Sequence, residues 1–295
     1  QCRFVMRSLV ARRCLLLFAL LLTGCAQASV VAPTPVTITI AGSTEMRPVL
    51  NALTAAYSER HPNILFAIRG GGSILGENWL ANRRIDLAAS TRLPEEDDTP
   101  ATLMRIPIGL DGVSIVVHPD NPVADLTLAQ LRDIYSGKIL DWQDVGGEPG
   151  DVVLVSREDG SATRMLFEKR VMNGEGVTLT AVVMPTSEAV VGYVADHPNA
   201  IGYVSRAYVL AEEAGAEGAG PTSAAGRESA AGVRLVAVES RLPTSEEIRT
   251  QSYHLTRPIF LLRQQADAPR LQPFLDFVLS PVGQEIVARY HVPIR

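Results

Sequence analysis

Cysteine is scarce and confined to one end of the chain. Its three cysteines are Cys2, Cys14 and Cys25, with none from residue 26 to residue 295. That excludes a disulfide, a cysteine metal site and a thiol nucleophile from everything beyond Cys25. Histidine is also sparse. His61, His118, His197, His254 and His291 are scattered without the spacing of metal ligands, so neither a metal nor another cofactor is expected. No Gly-x-Ser-x-Gly turn occurs, which removes the nucleophile-elbow signature of a serine hydrolase. Positive charge is in deficit, at a net charge of −5, and no basic stripe stands out, which weighs against a nucleic-acid partner. The apolar run Cys14–Leu22 falls short of the roughly 20 residues that a membrane-spanning helix needs.

What is present suffices for a core. With 295 residues, 46% of them apolar, the chain has the length of two ordinary domains. Arg7, Arg12 and Arg13 precede the apolar run, which ends in Leu22-Thr23-Gly24-Cys25. That ending resembles a bacterial lipobox. It implies that residues 1–24 are a lipoprotein signal peptide, that Cys25 carries lipid, and that the mature chain is exported. The chain would then sit at the outer face of the cell membrane or in the periplasm, held by the lipid alone. Residues 25–35 are small and proline-bearing, and read as a tether.

Two stretches repeat one design. Val36–Ile40 is a strand that breaks at Ala41-Gly42-Ser43-Thr44 into a helix with Met46, Val49, Leu50, Leu53 and Tyr57 on one face. Val152–Val155 is a strand that runs through Ser156-Arg157-Glu158-Asp159-Gly160-Ser161-Ala162-Thr163 into a second helix, Arg164–Met172. Strand, small-residue turn and helix together leave backbone N–H groups and hydroxyls at a positive helix end, which suits an anion. Two such turns suggest one small oxyanion gripped from two sides, with no chemistry performed on it.

Between and beyond them, strands alternate with helices, as a mainly parallel sheet requires. Ile64–Ile68 leads into Arg69-Gly70-Gly71-Gly72-Ser73, and Asp86–Ala89 delivers Ser90-Thr91-Arg92. Glu95–Asp98 reads as a solvated helix start. Ile106–Ile108 and Val113–Val117 flank Asp111-Gly112, and the second run is long enough to cross into another lobe. Thr127 and Gln130 form a capping-box pattern. Residues 212–232 are rich in Ala, Gly, Ser and Glu without periodicity, and read as a mobile surface loop. Ser280 and Pro281 open a final helix as N-cap and first residue.

Several of these stretches together resemble the substrate-binding protein of phosphate ABC transporters, the PstS type, in the family's order. They include Ala41-Gly42-Ser43-Thr44, Gly71-Gly72-Ser73, Asp86–Arg92, Asp111-Gly112, Ile134–Lys138, Ser156–Thr163, Ile201–Val204, Tyr253–Pro258 and Phe274–Gln284. The resemblance implies a two-lobed α/β fold of the periplasmic-binding-protein type II, each lobe a mainly parallel sheet flanked by helices. Two crossing strands join the lobes. Residues 36–112 and 252–295 would form one lobe and 113–251 the other. It further implies a monomer that binds inorganic phosphate and delivers it to an ABC-transporter permease. The family's binding residues fall here on Ser43, Thr44, Ser73 and Thr91 from one lobe, and on Arg157, Ser161, Ala162 and Thr163 from the other. Ser90, Arg92 and Asp111 are further candidates. Chemistry agrees with this set, because a guanidinium meets two phosphate oxygens at once and the hydroxyls supply further donors.

The departures bear on selectivity. Ala162 and Ile74 stand where the family often has glycine, and each is tolerable only at negative φ. Thr91 stands where some members carry an aspartate that accepts the proton of hydrogen phosphate and repels sulfate. Sulfate, tungstate or molybdate is therefore the alternative ligand. A phosphate-releasing hydrolase and a tethered sensor are the alternatives of other classes.

Overall fold

The computed structural model describes residues 34–93, 102–209 and 231–294. The expectations for the signal peptide, Cys25, the tether as far as residue 33, the acidic run Glu95–Asp98 and residues 212–230 lie outside the described residues.

The chain opens with β1 (Val36–Gly42), a single 3-10 turn (Thr44–Met46) and α1 (Arg47–Arg60). In α1 the buried residues are Val49, Leu50, Leu53, Thr54 and Tyr57, the apolar stripe of the sequence; Pro48 sits in the first turn, where few backbone donors are in use. β2 (Ile64–Arg69), α2 (Ser73–Ala81) and β3 (Leu87–Ser90) follow. β1 pairs in parallel with both β2 and β3, with Ile40 opposite Ile68 on one side and Gly42 opposite Ala89 on the other.

β4 (Leu103–Val117) is one continuous strand of 15 residues. The sequence suggests two runs parted at Asp111-Gly112, yet the strand passes straight through both residues. Asp111 is tolerated because Arg257 neutralises it, as set out below. At Gly112 a Cβ would lie 2.6 Å from Ile248 Cδ1 and 3.0 Å from Pro243 Cβ, so a larger residue would have to displace both side chains. Up to Gly112, β4 pairs with β10; from Val113 it pairs with strands of the other half.

That half contains β5 (Asp125–Leu126), α3 (Leu128–Tyr135), β6 (Val153–Arg157), α4 (Ala162–Phe167), β7 (Val182–Met184), α5 (Ser187–Asp196), β8 (Ala200–Ser205), β9 (Arg234–Val238) and α6 (Ser245–Arg249). α3 starts on the expected capping box: Thr127 Oγ1 accepts from Gln130 N at 3.1 Å while Gln130 Oε1 accepts from Thr127 N at 2.9 Å. α4 passes into a wider π turn, Glu168–Met172, where the sequence suggests one regular helix. The chain returns through β10 (Thr256–Gln264) and ends in α7 (Ala268–Leu279) and α8 (Pro281–Ala288), whose N-cap is Ser280.

Sheet order is β2-β1-β3-β10-β4-β8-β6-β7. Pairing is parallel within each outer triplet, and antiparallel where the long strands β4 and β10 meet each other and their neighbours. Each half has its own core. Ile38, Ile40, Leu50, Leu53 and Phe274 fill the first lobe, and Ile115, Tyr135, Phe167 and Tyr203 the second. In parallel α/β sheets ligands bind beyond the carboxyl ends of the strands. Here β1, β3 and β6 end at Gly42, Ser90 and Arg157, next to the predicted binding residues.

Candidate oxyanion site

In the first lobe, three loops converge because β1 and β3 run in parallel. Gly42 (φ 136°) lies so close to β3 that a Cβ would sit 2.1 Å from the Ala89 carbonyl oxygen. This close approach lets Ser43 N donate to Ala89 O at 2.8 Å and puts Ser43 Oγ 3.2 Å from Thr91 Oγ1. Ser73, at the start of α2, accepts from Thr91 N at 3.1 Å. Ser43, Ser73 and Thr91 therefore form one buried cluster. Thr44 is buried beside it, and its hydroxyl has no partner among the described residues.

In the second lobe, β6 delivers Arg157. Its backbone is steadied by Tyr203, whose hydroxyl lies 2.7 Å from Ser156 Oγ and accepts from Arg157 N at 3.4 Å. Tyr203 is in turn fixed by stacking on Phe167 with ring centroids 4.2 Å apart. Ser161 caps α4, its Oγ accepting from Arg164 N at 3.4 Å, while Ala162 and Thr163 are the first helical residues. Neither Ala162 nor Ile74 has positive φ, so the two substitutions for glycine carry no backbone strain.

The two groups of residues meet at Glu45, which is 1% exposed. Its Oε1 accepts from Arg157 Nη1 at 2.7 Å and from Thr163 Oγ1 at 3.1 Å; its Oε2 accepts from Ser43 Oγ at 2.5 Å. Arg157 has further partners in Glu158, at 2.9 and 3.1 Å, in Ser187 Oγ at 3.1 Å and in the Pro185 carbonyl at 3.4 Å. Burial pushes the Glu45 carboxyl up, but the charges of Arg157 and Arg257, helped by hydrogen bonds from Ser43 and Arg157, bring it down to about 2. For Arg157, burial lowers the pKa, yet Glu45 and Glu158 together raise it above its ordinary value. Both groups are charged at neutral pH.

A second guanidinium lies beside the first. Arg257 on β10 is fully buried, with Nε and Nη2 donating to Asp111 Oδ2 at 3.1 and 2.8 Å. Nη2 also donates to Thr163 Oγ1 at 3.0 Å, and Nη1 has no partner among the described residues. Asp111 is thereby engaged at the lobe crossing. Its Oδ1 accepts from Ser205 Oγ at 2.8 Å and lies 3.3 Å from His291 Nδ1, and Arg257 and His291 outweigh the effect of burial to hold its carboxyl at about 2. Ser90 and Arg92 point elsewhere: both bind Glu77, which also receives Arg105. Tyr208, following β8, donates to the Thr44 carbonyl at 2.7 Å and so adds another tie between lobes.

The fold agrees with known proteins. A sequence profile of the PBP superfamily domain matches residues 28–282. A Clostridium perfringens protein named as a phosphate ABC transporter substrate-binding protein, solved with phosphate bound, is 30% identical, with a TM-score of 0.78 over 88% of this chain and 100% of that one. The chain belongs to the PBP superfamily, as a member of its PstS type. An ABC-type phosphate transport receptor from Vibrio cholerae is 29% identical, with a TM-score of 0.68 over 86% and 99% of the two chains. The phosphate-binding protein PstS of Bacillus subtilis is 30% identical over 178 residues, 58% of each chain. That of Borreliella burgdorferi is 22% identical over 85% of this chain and 87% of its own.

Within this PstS-type chain, sequence reasoning passed over Glu45, Arg257 and Tyr208. Glu45 stands in the first anion turn, where an acid reads as a solvated helix start. Only its burial against the other lobe distinguishes it. Arg257 lay within a matched stretch but carried no local signal of its own, because its partners Asp111 and Thr163 are remote in sequence.

Proposed function

We propose that the chain captures inorganic phosphate between its two lobes and hands it to the permease of an ABC transporter. The observation that carries this reading is that Arg157 and Thr163 from one lobe and Ser43 from the other reach one buried point, with Thr91 and Ser73 bonded in turn behind Ser43. A desolvated dianion is stabilised by charge-assisted and neutral hydrogen bonds from both sides. Because both lobes contribute donors, the bound anion shifts the population toward the closed form, which is the form a permease would recognise. The relatives named for phosphate binding and transport support the same ligand. Export and attachment by lipid on Cys25 are part of this reading, and among the described residues no helix is long and apolar enough to cross a membrane.

On this reading the chain binds its ligand and performs no chemistry on it, as its relatives named for phosphate binding and transport support. Glu45, 2.5 Å from Ser43 Oγ, is a carboxylate that Arg157 and Arg257 hold at about 2, too weak a base to activate that hydroxyl at neutral pH.

Titration calorimetry tests the reading. Phosphate is expected to bind one per chain, with no comparable heat from sulfate, tungstate or molybdate. Binding of one of those anions without phosphate would reassign the ligand within the same fold, and turnover of a phosphomonoester would overturn the binding-protein reading.

A further inference from the structure

The donors proposed to hold the oxyanion already hold an anion, and it belongs to the protein. Glu45 takes hydrogen bonds from Ser43, Arg157 and Thr163, three of the predicted binding residues, and draws them from both lobes. Arg157 directs its N–H groups to Glu45, Ser187, Glu158 and Pro185. An oxyanion that takes Arg157 Nη1 and Thr163 Oγ1 must take them from the Glu45 carboxylate. We infer that Glu45 is a tethered internal anion, seated on the ligand's donors, which phosphate displaces on binding and which sets a threshold that singly charged anions do not pass. This rests on the phosphate-binding reading above.

Charge balance gives the threshold its sense. Arg157 is matched by Glu45 and Arg257 by Asp111, so the four fully buried charges sum to zero, while Glu158, partly exposed at the outer edge of Arg157, adds one negative charge that water screens. A monoanion that displaces Glu45 merely replaces one negative charge by another. It must also compete with a carboxylate held at high effective concentration by the chain. A dianion brings one more charge to the same two guanidinium groups.

Donor counting favours a tetrahedral ligand over the carboxylate, whatever its charge. The two carboxylate oxygens take three hydrogen bonds, while Thr44 Oγ1 and Arg257 Nη1, both buried, have no partner among the described residues. A buried donor left unsatisfied costs free energy. A tetrahedral ligand spreads its acceptors over four oxygens, where Glu45 offers two that already take three hydrogen bonds. Glu45 follows Thr44 within the same 3-10 turn, so on this inference its side chain alone turns away while Ser43 and Thr44 stay in place.

The test compares the purified chain with Glu45→Gln by calorimetry, using phosphate and perchlorate as dianionic and monoanionic tetrahedral probes at one slightly alkaline pH. It adds a crystal structure of the wild-type phosphate complex. In E45Q phosphate binding is expected to tighten by roughly tenfold or more, because the apparent affinity is reduced by the fraction of chains whose donors are occupied. Perchlorate is expected to bind E45Q and not the wild type. In the phosphate complex, Glu45 is expected to have left Arg157 and Thr163.

Equal or weaker phosphate binding by E45Q overturns the inference, and so does a complex in which Glu45 still contacts Arg157; in either case the functional reading stands. Failure of both chains to bind phosphate overturns both. Should E45Q not fold, as judged by circular dichroism, Glu45→Asp serves instead. It keeps the charge but shortens the tether by one methylene, so the expected direction is the same and a weakening again counts against the inference.

Discussion

Replacing Arg157 by alanine is expected to destabilise the chain by about 3 kcal/mol near neutral pH, even without any ligand. The magnitude follows from Glu45. Its carboxyl is 1% exposed and held at about 2 against an ordinary value of 4.5. At about 1.4 kcal/mol per pKa unit, that depression is worth about 3 kcal/mol of folding free energy. An independent route agrees: removing one partner of a buried ion pair costs about 3–5 kcal/mol, because the other charge stays buried and unpaired. The remaining field of Arg257 holds the loss toward the lower end. Sign follows from the direction of the shift. A carboxyl depressed in the folded state stabilises above its unfolded value, and that contribution fades as pH falls from 4.5 toward 2. Urea unfolding in phosphate-free buffer at about pH 7 and about pH 3 reads the effect. The gap between wild type and Arg157→Ala should be wide at the higher pH and narrow at the lower. There the wild type has lost much of the Glu45 contribution, and the variant, whose Glu45 is already protonated, has little left to lose. Adding Glu45→Gln to Arg157→Ala should restore most of the stability near neutral pH. An equal gap at both pH values, or no gap near neutral pH, would refute the coupling.

Two further perturbations test the scaffold beneath the site. Tyr203→Phe removes the hydroxyl that meets Ser156 and the Arg157 backbone while keeping the ring stacked on Phe167, so a loss of about 1 kcal/mol in thermal or urea unfolding is expected. Weaker phosphate binding, read by calorimetry, should accompany it, and unchanged affinity would mean that Arg157 is placed by its side-chain partners alone. Gly76→Ala puts a Cβ 2.6 Å from Gly42 Cα and 2.7 Å from the Ala41 carbonyl oxygen, both backbone atoms that cannot turn aside. It should cost about 1–3 kcal/mol or more and loosen the first anion turn; unaltered melting would show that α2 has room to shift.

Local signals in the sequence determined a good part of this protein. The apolar stripe of α1, the capping box at Thr127, Ser280 with Pro281 at the last helix, and the small-residue turns after β1 and β6 depend on neighbours within a turn or two. Periodicity, capping and backbone chemistry act over that range and can be read along the chain. The turns after β1 and β6 suggested an anion by their residues, whereas the individual candidate donors, Ser73 and Thr91 above all, were implied by the resemblance to the PstS type.

What only the tertiary structure decided is which charges meet. Glu45 and Arg157 are separated by 112 positions, and Asp111 and Arg257 by 146. Asp111-Gly112 has the composition of a turn, yet it lies inside a 15-residue strand because a remote arginine neutralises the aspartate and Ile248 fills the space beside the glycine. Glu45 has the composition of a solvated helix start, yet it is buried and ionised because the other lobe brings a guanidinium to it. A buried charge leaves no periodic trace in sequence. Its stability is set by a partner that only the folded chain brings within hydrogen-bond reach.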